Sequence, residues 1–309
     1  MNTVEQDHSK YMTSSADFRY SWSRNEDFCR FEPVRKNITG ARVMVVNNLL
    51  RHEGDLSELA LSELGAEVDD RLAEENRISS MACENIVNNI TRLVADPEII
   101  IIHLSELAKT AEEFKPDAII LSGSLSDFDY YNPLYIASFT DFVTNTRIPI
   151  LGICGGHQLI GVSFGARLVT IDRREPTFIR KGRIAESEYR FVKITDDSDP
   201  IFSGLLDEEG TRWQEYTRRE ELLRVWQNHG LQIDGLPDGF KLLATSFLCE
   251  NQMMVRNEGG QMIYGVQFHL EKSFEDWNKN PSRWEHFNES RDGRILFENF
   301  LRIATREIH

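Results

Sequence analysis

The chain has 309 residues, 40% hydrophobic and 28% charged, and its 50 acidic against 35 basic residues leave a net charge of −15. That length is one large domain or two small ones, with enough residues to bury a core without disulfides or metals. The acidic balance excludes a chain-wide binder of nucleic acid or anionic membrane, which needs basic surface, and the composition excludes a collagenous or fully disordered chain. Glu5, Asp7 and His8 stand where a signal peptide needs a basic start and an apolar stretch. Apolar runs such as 99–102 fall far short of the ~20 residues that span a bilayer. The cysteines, Cys29, Cys83, Cys154 and Cys249, form no C-x-x-C pair, so neither a zinc site nor a thioredoxin-type motif is expected. Reduced thiols and a cytoplasmic location are the expectation.

Residues 1–36 are polar, lack glycine and carry Tyr11, Phe18, Tyr20, Trp22, Phe28 and Phe31. Disordered tails are poor in aromatics, so this segment reads as an arm packed on the body or on a partner, with a frayed tail as the alternative. A domain over 37–309 follows. Residues 41–47 (ARVMVVN) read as a buried strand. Asp55-x-x-Glu58 reads as a capping box for a helix with Leu56, Leu59, Ala60 and Leu64 on one stripe. Ile78, Ala82, Ile86, Ile90 and Leu93 recur at spacings of three and four, giving a second helix. Strands are expected at 99–104, 117–121 and 149–153, and helices at 105–114, 133–142 and 155–164. Continuous apolar strands alternating with helices imply a parallel sheet covered on both faces.

Beyond residue 165 the pattern changes. Strands are expected at 190–195, 223–227, 240–246, 252–256 and 262–268, joined by turns such as Asp234-Gly235 and Pro237-Asp238-Gly239. An amphipathic helix over 295–304 closes the chain. The fold class is therefore α/β, a mostly parallel central sheet with helices on both faces and extra antiparallel strands.

Two motifs carry chemistry. Gly152-Ile153-Cys154-Gly155-Gly156-His157-Gln158 follows a strand and opens a helix. That is the geometry of a nucleophile elbow, with cysteine in place of serine. The glycines permit the sharp turn, and the helix N-terminus favours a thiolate. Tyr264-Gly265-Val266-Gln267-Phe268-His269-Leu270-Glu271 is an apolar strand ending in His-x-Glu. Side chains at i and i+2 share a strand face, so His269 and Glu271 can act as base and orienting acid. Each motif alone has a bland reading, a buried structural cysteine and a solvated strand end. The two together make a nucleophile, a base and a third group.

In these two motifs the chain resembles the class I glutamine amidotransferases of the Cys–His–Glu type, with its best local match in the small subunit of carbamoyl-phosphate synthetase. Gln227-Asn228-His229-Gly230, the stretch 199–205 (DPIFSGL) and the stretch 296–301 (LFENFL) add to the likeness, which covers roughly 41–305. The resemblance implies a flavodoxin-like fold and hydrolysis of L-glutamine through a thioester on Cys154. It implies an oxyanion hole from the backbone N–H groups of Gly155 and Ser124, and substrate contacts from Gln158, Asn228, Gly230 and Leu231. It calls for no cofactor or metal, and it implies an ATP-dependent synthetase or ligase partner that receives ammonia. His157 and His229 read as structural. Departures are Leu270 where the family has proline, and 122–126 (SGSLS) where it has Gly-Pro-Gly or similar. A further departure is a polar stretch at 272–293 with Trp277, Trp284, His286 and Phe287. Two other readings stay open: a stand-alone hydrolase of γ-glutamyl amides or peptides, and a catalytically inactive regulatory module.

Overall fold

The computed structural model describes residues 35–205, 221–272 and 291–308. The aromatic arm, Cys29 and nearly all of the 272–293 stretch lie outside the described residues. Strands β1 (Ile38–Asn47), β2 (Val94–His103), β3 (Ala118–Leu121), β4 (Ile150–Ile153) and β11 (Ile263–Val266) pair in parallel in the order β2-β1-β3-β4-β11. The sheet continues antiparallel through β10 (Met253–Arg256), β9 (Lys241–Thr245), β6 (Glu186–Ile194) and β7 (Leu222–His229), making nine strands among the described residues. This is the expected mixed α/β sheet. β5 (Arg167–Thr170) and β8 (Leu231–Asp234) form a separate antiparallel pair that the sequence pattern did not reveal, since RLVT and LQID are short and, unlike β3 and β4, interrupted by polar residues.

Alternation along β1 sorts the core into two layers. Val43 and Val45 face one side, with Ile86, Ile90 and Leu93 of α2 (Val68–Leu93) and Leu296, Phe297 and Phe300 of α6 (Arg291–Ala304). Met44 and Val46 face the other side, which also takes residues from three shorter helices. These are Leu107 of α3 (Leu107–Phe114), Phe139 of α4 (Pro133–Asn145) and Leu159 of α5 (Gly155–Ser163). Successive strand residues point to opposite faces, so both faces of a parallel sheet are apolar and both need a helical cover.

Two local expectations are corrected. Asp55 does not cap the first helix; its buried carboxylate accepts hydrogen bonds from the Arg51 backbone and guanidinium at 2.9 and 3.1 Å. Ser57 is the cap of α1 (Glu58–Leu64), its hydroxyl accepting from Ala60 N at 3.1 Å. The stripe read there does not hold either. Leu56 precedes the helix in a bridge to Tyr131, and Leu59 is 42% exposed. Strand β2 begins five residues before the expected start at 99, and Pro97 is tolerated because β2 is an edge strand.

Candidate functional site

Sites in open α/β sheets lie beyond the carboxyl ends of the strands. Here the ends of β3, β4 and β11 converge. β4 is buried throughout and delivers Cys154 at φ 49°, ψ −102°, a left-handed backbone that a non-glycine residue adopts only under strain. Cys154 N donates to the Val266 carbonyl at 2.8 Å and Gly156 N to the Ser122 carbonyl at 3.1 Å, tying the elbow to both neighbouring strands. Gly155 is obligatory by space: a Cβ there would sit 2.4 Å from the Ser124 nitrogen. The backbones of Gly155 and Ser124, the two expected oxyanion donors, are therefore in direct contact at the mouth of the elbow.

The histidine arrives from the next strand. His269 N donates to the Trp226 carbonyl at 2.8 Å, fixing the turn after β11. Nδ1 of His269 meets Glu271 Oε1 at 2.7 Å across a nearly dry interface. The other ring nitrogen, Nε2, is buried and makes no hydrogen bond within the protein. A Cβ on Gly123 would lie 3.4 Å from His269 Cε1 and 3.8 Å from Cys154 Cβ, so imidazole and thiol flank the same glycine. Burial disfavours the imidazolium, but the negative charges of Glu271 and Cys154 together outweigh it and raise the His269 pKa to about 10. Glu271 is itself steadied through its carbonyl, which accepts from Asn89 Nδ2 of α2 at 3.0 Å.

Cys154 opens onto a cavity of about 290 Å³, lined also by Ser124, Gln158, Asn228, Gly230 and Leu231. All the substrate-contact positions expected from the sequence thus border one space. Gln158 differs in detail from the expectation: its Nε2 points inward to the Leu231 carbonyl (2.8 Å) and Gln267 Oε1 (3.1 Å). Gln267 Nε2 in turn donates toward Cys154 Sγ at 3.6 Å. Gln267 was missed as a site residue, although its i, i+2 spacing with His269 could have found it. Asp127 and Arg183 also line the cavity and were missed. Arg183 Nη1 donates to Asp127 Oδ1 at 2.7 Å across a fold distance that no local motif encodes.

The two doubtful histidines are built into the wall. His157 is fully buried, and burial first, with the nearby His229 second, lowers its pKa to about 3. His229 donates from Nδ1 to the Leu231 carbonyl at 3.0 Å and faces Glu186 with Nε2 at 3.1 Å. Among the described residues no group of His, Cys, Asp or Glu is arranged to hold a metal ion, and no helix is long and apolar enough to cross a membrane.

Comparison with known proteins gives the family. The family model for class-I glutamine amidotransferases matches residues 78–287, a stretch that includes Cys154, His269 and Glu271. A glutamine-hydrolysing GMP synthase subunit from Methanothermobacter thermautotrophicus is 32% identical over 53% of this chain and 65% of its own length. The corresponding protein from Thermococcus kodakarensis is 35% identical over 51% of this chain and 67% of its own length. The chain thus spans just under two thirds of the first of these relatives. A solved structure from Thermoplasma acidophilum, described as that of a GMP synthase subunit, superposes with a TM-score of 0.51 over 88% of this chain and 97% of that one. At 22% identity that likeness speaks to the fold alone.

Proposed function

The chain belongs to the class-I glutamine amidotransferase family, and we propose that it hydrolyses L-glutamine to glutamate and ammonia and hands the ammonia to a separate ATP-dependent synthetase. The carrying observation is that the His269 imidazole, bonded to Glu271, and the Cys154 thiol flank the same glycine, Gly123, with Cys154 opening onto the cavity. In this reading the Cys154 thiolate attacks the carboxamide carbon. The N–H groups of Gly155 and Ser124 hold the oxyanion, a form of stabilisation worth ~10²–10³ in rate per donor. His269, protonated at rest beside Glu271, gives its Nε2 proton to the departing ammonia, leaving a γ-glutamyl thioester. The now neutral imidazole takes a proton from water, hydroxide adds to the thioester, and the tetrahedral intermediate collapses to glutamic acid and the Cys154 thiolate; the acid passes its proton to the released ammonia, and the thiolate and imidazolium are restored. Asn228, Gly230 and Leu231 border the space for the amino-acid end of the substrate, while Gln158 and Gln267 brace the sulfur from behind.

A synthetase partner is carried over from relatives whose names make them glutamine-hydrolysing subunits of GMP synthase. A cytoplasmic setting goes with that reading and with the free thiols of Cys83, Cys154 and Cys249. The test is to give the purified chain glutamine in one arm and a γ-glutamyl peptide in the other, and to measure ammonia and glutamate. Turnover of glutamine that vanishes in Cys154→Ala supports the proposal. Turnover of the peptide with little of glutamine would replace it with a stand-alone γ-glutamyl hydrolase, and activity in neither arm, with or without a candidate ligase, with an inactive module.

A further inference from the structure

The loop after β3 supplies one of the two oxyanion donors in the proposed mechanism, yet it has side chains where the family pattern has a Gly-Pro-Gly turn. Its near end is pinned from β1 and the elbow: Asn48 Nδ2 donates to the Ser122 carbonyl at 2.6 Å, and the same carbonyl accepts from Gly156 N. Its far end is pinned by α2. Ser126 Oγ donates to Glu75 Oε1 at 2.5 Å and accepts from Arg71 Nε at 3.0 Å. Arg71 Nη2 donates to the Leu125 carbonyl at 3.3 Å. Glu75 is completely buried, and its second oxygen accepts from Leu50 N at 3.2 Å.

Glu75 lies on the buried stripe of α2, where an apolar residue would serve the core. A carboxylate is costly there unless every oxygen is satisfied. Both oxygens are satisfied, and the more closely held one faces the loop. Arg71, one turn earlier on the helix, closes the triangle with its Nε 3.6 Å from Glu75 Oε1. Ser124 is thereby suspended between two fixed points, Ser122 and Ser126.

We propose that Glu75 and Arg71 are positioning residues that aim the Ser124 N–H at the oxyanion, taking over the role of the missing glycine turn. The inference rests on the glutaminase reading above. The aim of a donor matters because a misplacement of ~1 Å can cost ~10²-fold in rate.

The experiment compares the full chain with its Glu75→Gln and Arg71→Met variants. Glutamine at 75 keeps the shape but offers one oxygen for two donors. Methionine at 71 removes the guanidinium from a partly exposed position, so at least one variant keeps the fold. Two readouts are taken: steady-state kcat and KM for glutamine, and the rate of Cys154 alkylation by iodoacetamide. Alkylation is displacement at a saturated carbon and forms no oxyanion. The expected result is a kcat lower by ~10–10²-fold, with KM within about twofold and the alkylation rate unchanged. A KM that rises at constant kcat, unchanged kinetics, or alkylation that slows in step with kcat would overturn the assignment. A parent chain that turns over neither glutamine nor γ-glutamyl amides would overturn the reading beneath it, and this inference with it.

Discussion

Cys154 differs from the other described cysteines in what surrounds its sulfur. Burial pushes the Cys83 thiol up to about 11. Burial, joined by the Glu186 charge, pushes Cys249 higher still. Among the described residues, neither has a histidine beside it in the way that Cys154 has His269. A glutamine-analogue electrophile is therefore expected to label Cys154 and leave Cys83 and Cys249 untouched, read by peptide mass spectrometry; equal labelling of either would remove Cys154 from its role. Replacing His269 with alanine is expected to lower turnover by ~10²–10⁴-fold. Glu271→Gln is expected to cost less, because in the proposed mechanism Glu271 orients the ring and does not move a proton; the opposite ranking would exchange the roles. The pH dependence follows from the raised His269 pKa. A folded value near 10 against the ordinary 6.5 means that the ion pair stabilises the fold fully below about 6.5 and loses that contribution as pH rises through about 10. Urea midpoints between pH 7 and 10.5 should fall more steeply for the parent chain than for His269→Gln. The elbow geometry at Cys154 and the His269–Glu271 contact were legible because each is written in contiguous residues with special turn or strand chemistry. Gln267 could have been read from its i, i+2 spacing with His269, whereas Arg183 could not, because its partner Asp127 is 56 positions away and no motif joins the two.

At the scale of elements, the connection between β5 and β6 behaves as a strap across the cavity. Arg183 is bonded to Asp127, and it donates from Nη2 to the Pro176 carbonyl at 2.7 Å and from Nε to the Ile179 carbonyl at 2.6 Å. Arg180 reaches Asp127 at 2.9 Å, Asp129 at 2.8 Å and Glu63 at 2.6 Å, with its guanidinium 4.5 Å over the Tyr130 ring. Arg183→Met leaves Asp127 short of a partner at a nearly buried position, which should cost ~1–3 kcal/mol of stability. Because the pair also forms the cavity wall, KM for glutamine should rise more than kcat falls. Denaturant midpoints and steady-state kinetics check both, and an unchanged KM would make the strap merely structural. Such a strap has no period and no motif, so nothing in the sequence marks it. The misread start of α1 has a similar origin. Asp55 and Ser57 are both good caps, and the pull on Asp55 of Arg51, four residues before it, and of His103, brought in by the fold, decides between them.

For the whole molecule, the doubly covered parallel sheet was legible because buried parallel strands are apolar throughout. The β5–β8 pair was not, because its short strands mix polar with apolar residues and show neither a continuous apolar run nor a helix-alternating context. If the chain serves a synthetase, its isolated turnover is expected to be low and to rise when that partner and the acceptor are added, measured as glutamate release with and without a candidate ligase. A further consequence comes from the position of β11. That strand lies between β4 and β10, yet it is among the last to be made. Cys154 and Gln267 are 113 residues apart, so at ~5–20 residues per second a ribosome takes on the order of 10 s to bring one to the other. For that interval β4 has an apolar, unpaired edge, the kind of surface that recruits other strands. A chain stopped after Arg256 should therefore be not only inert toward glutamine but recovered in the pellet, as centrifugation of a stop-codon series would show. The emerging protein is thus born without its chemistry and with its greatest hazard exposed, and one late strand ends both conditions together.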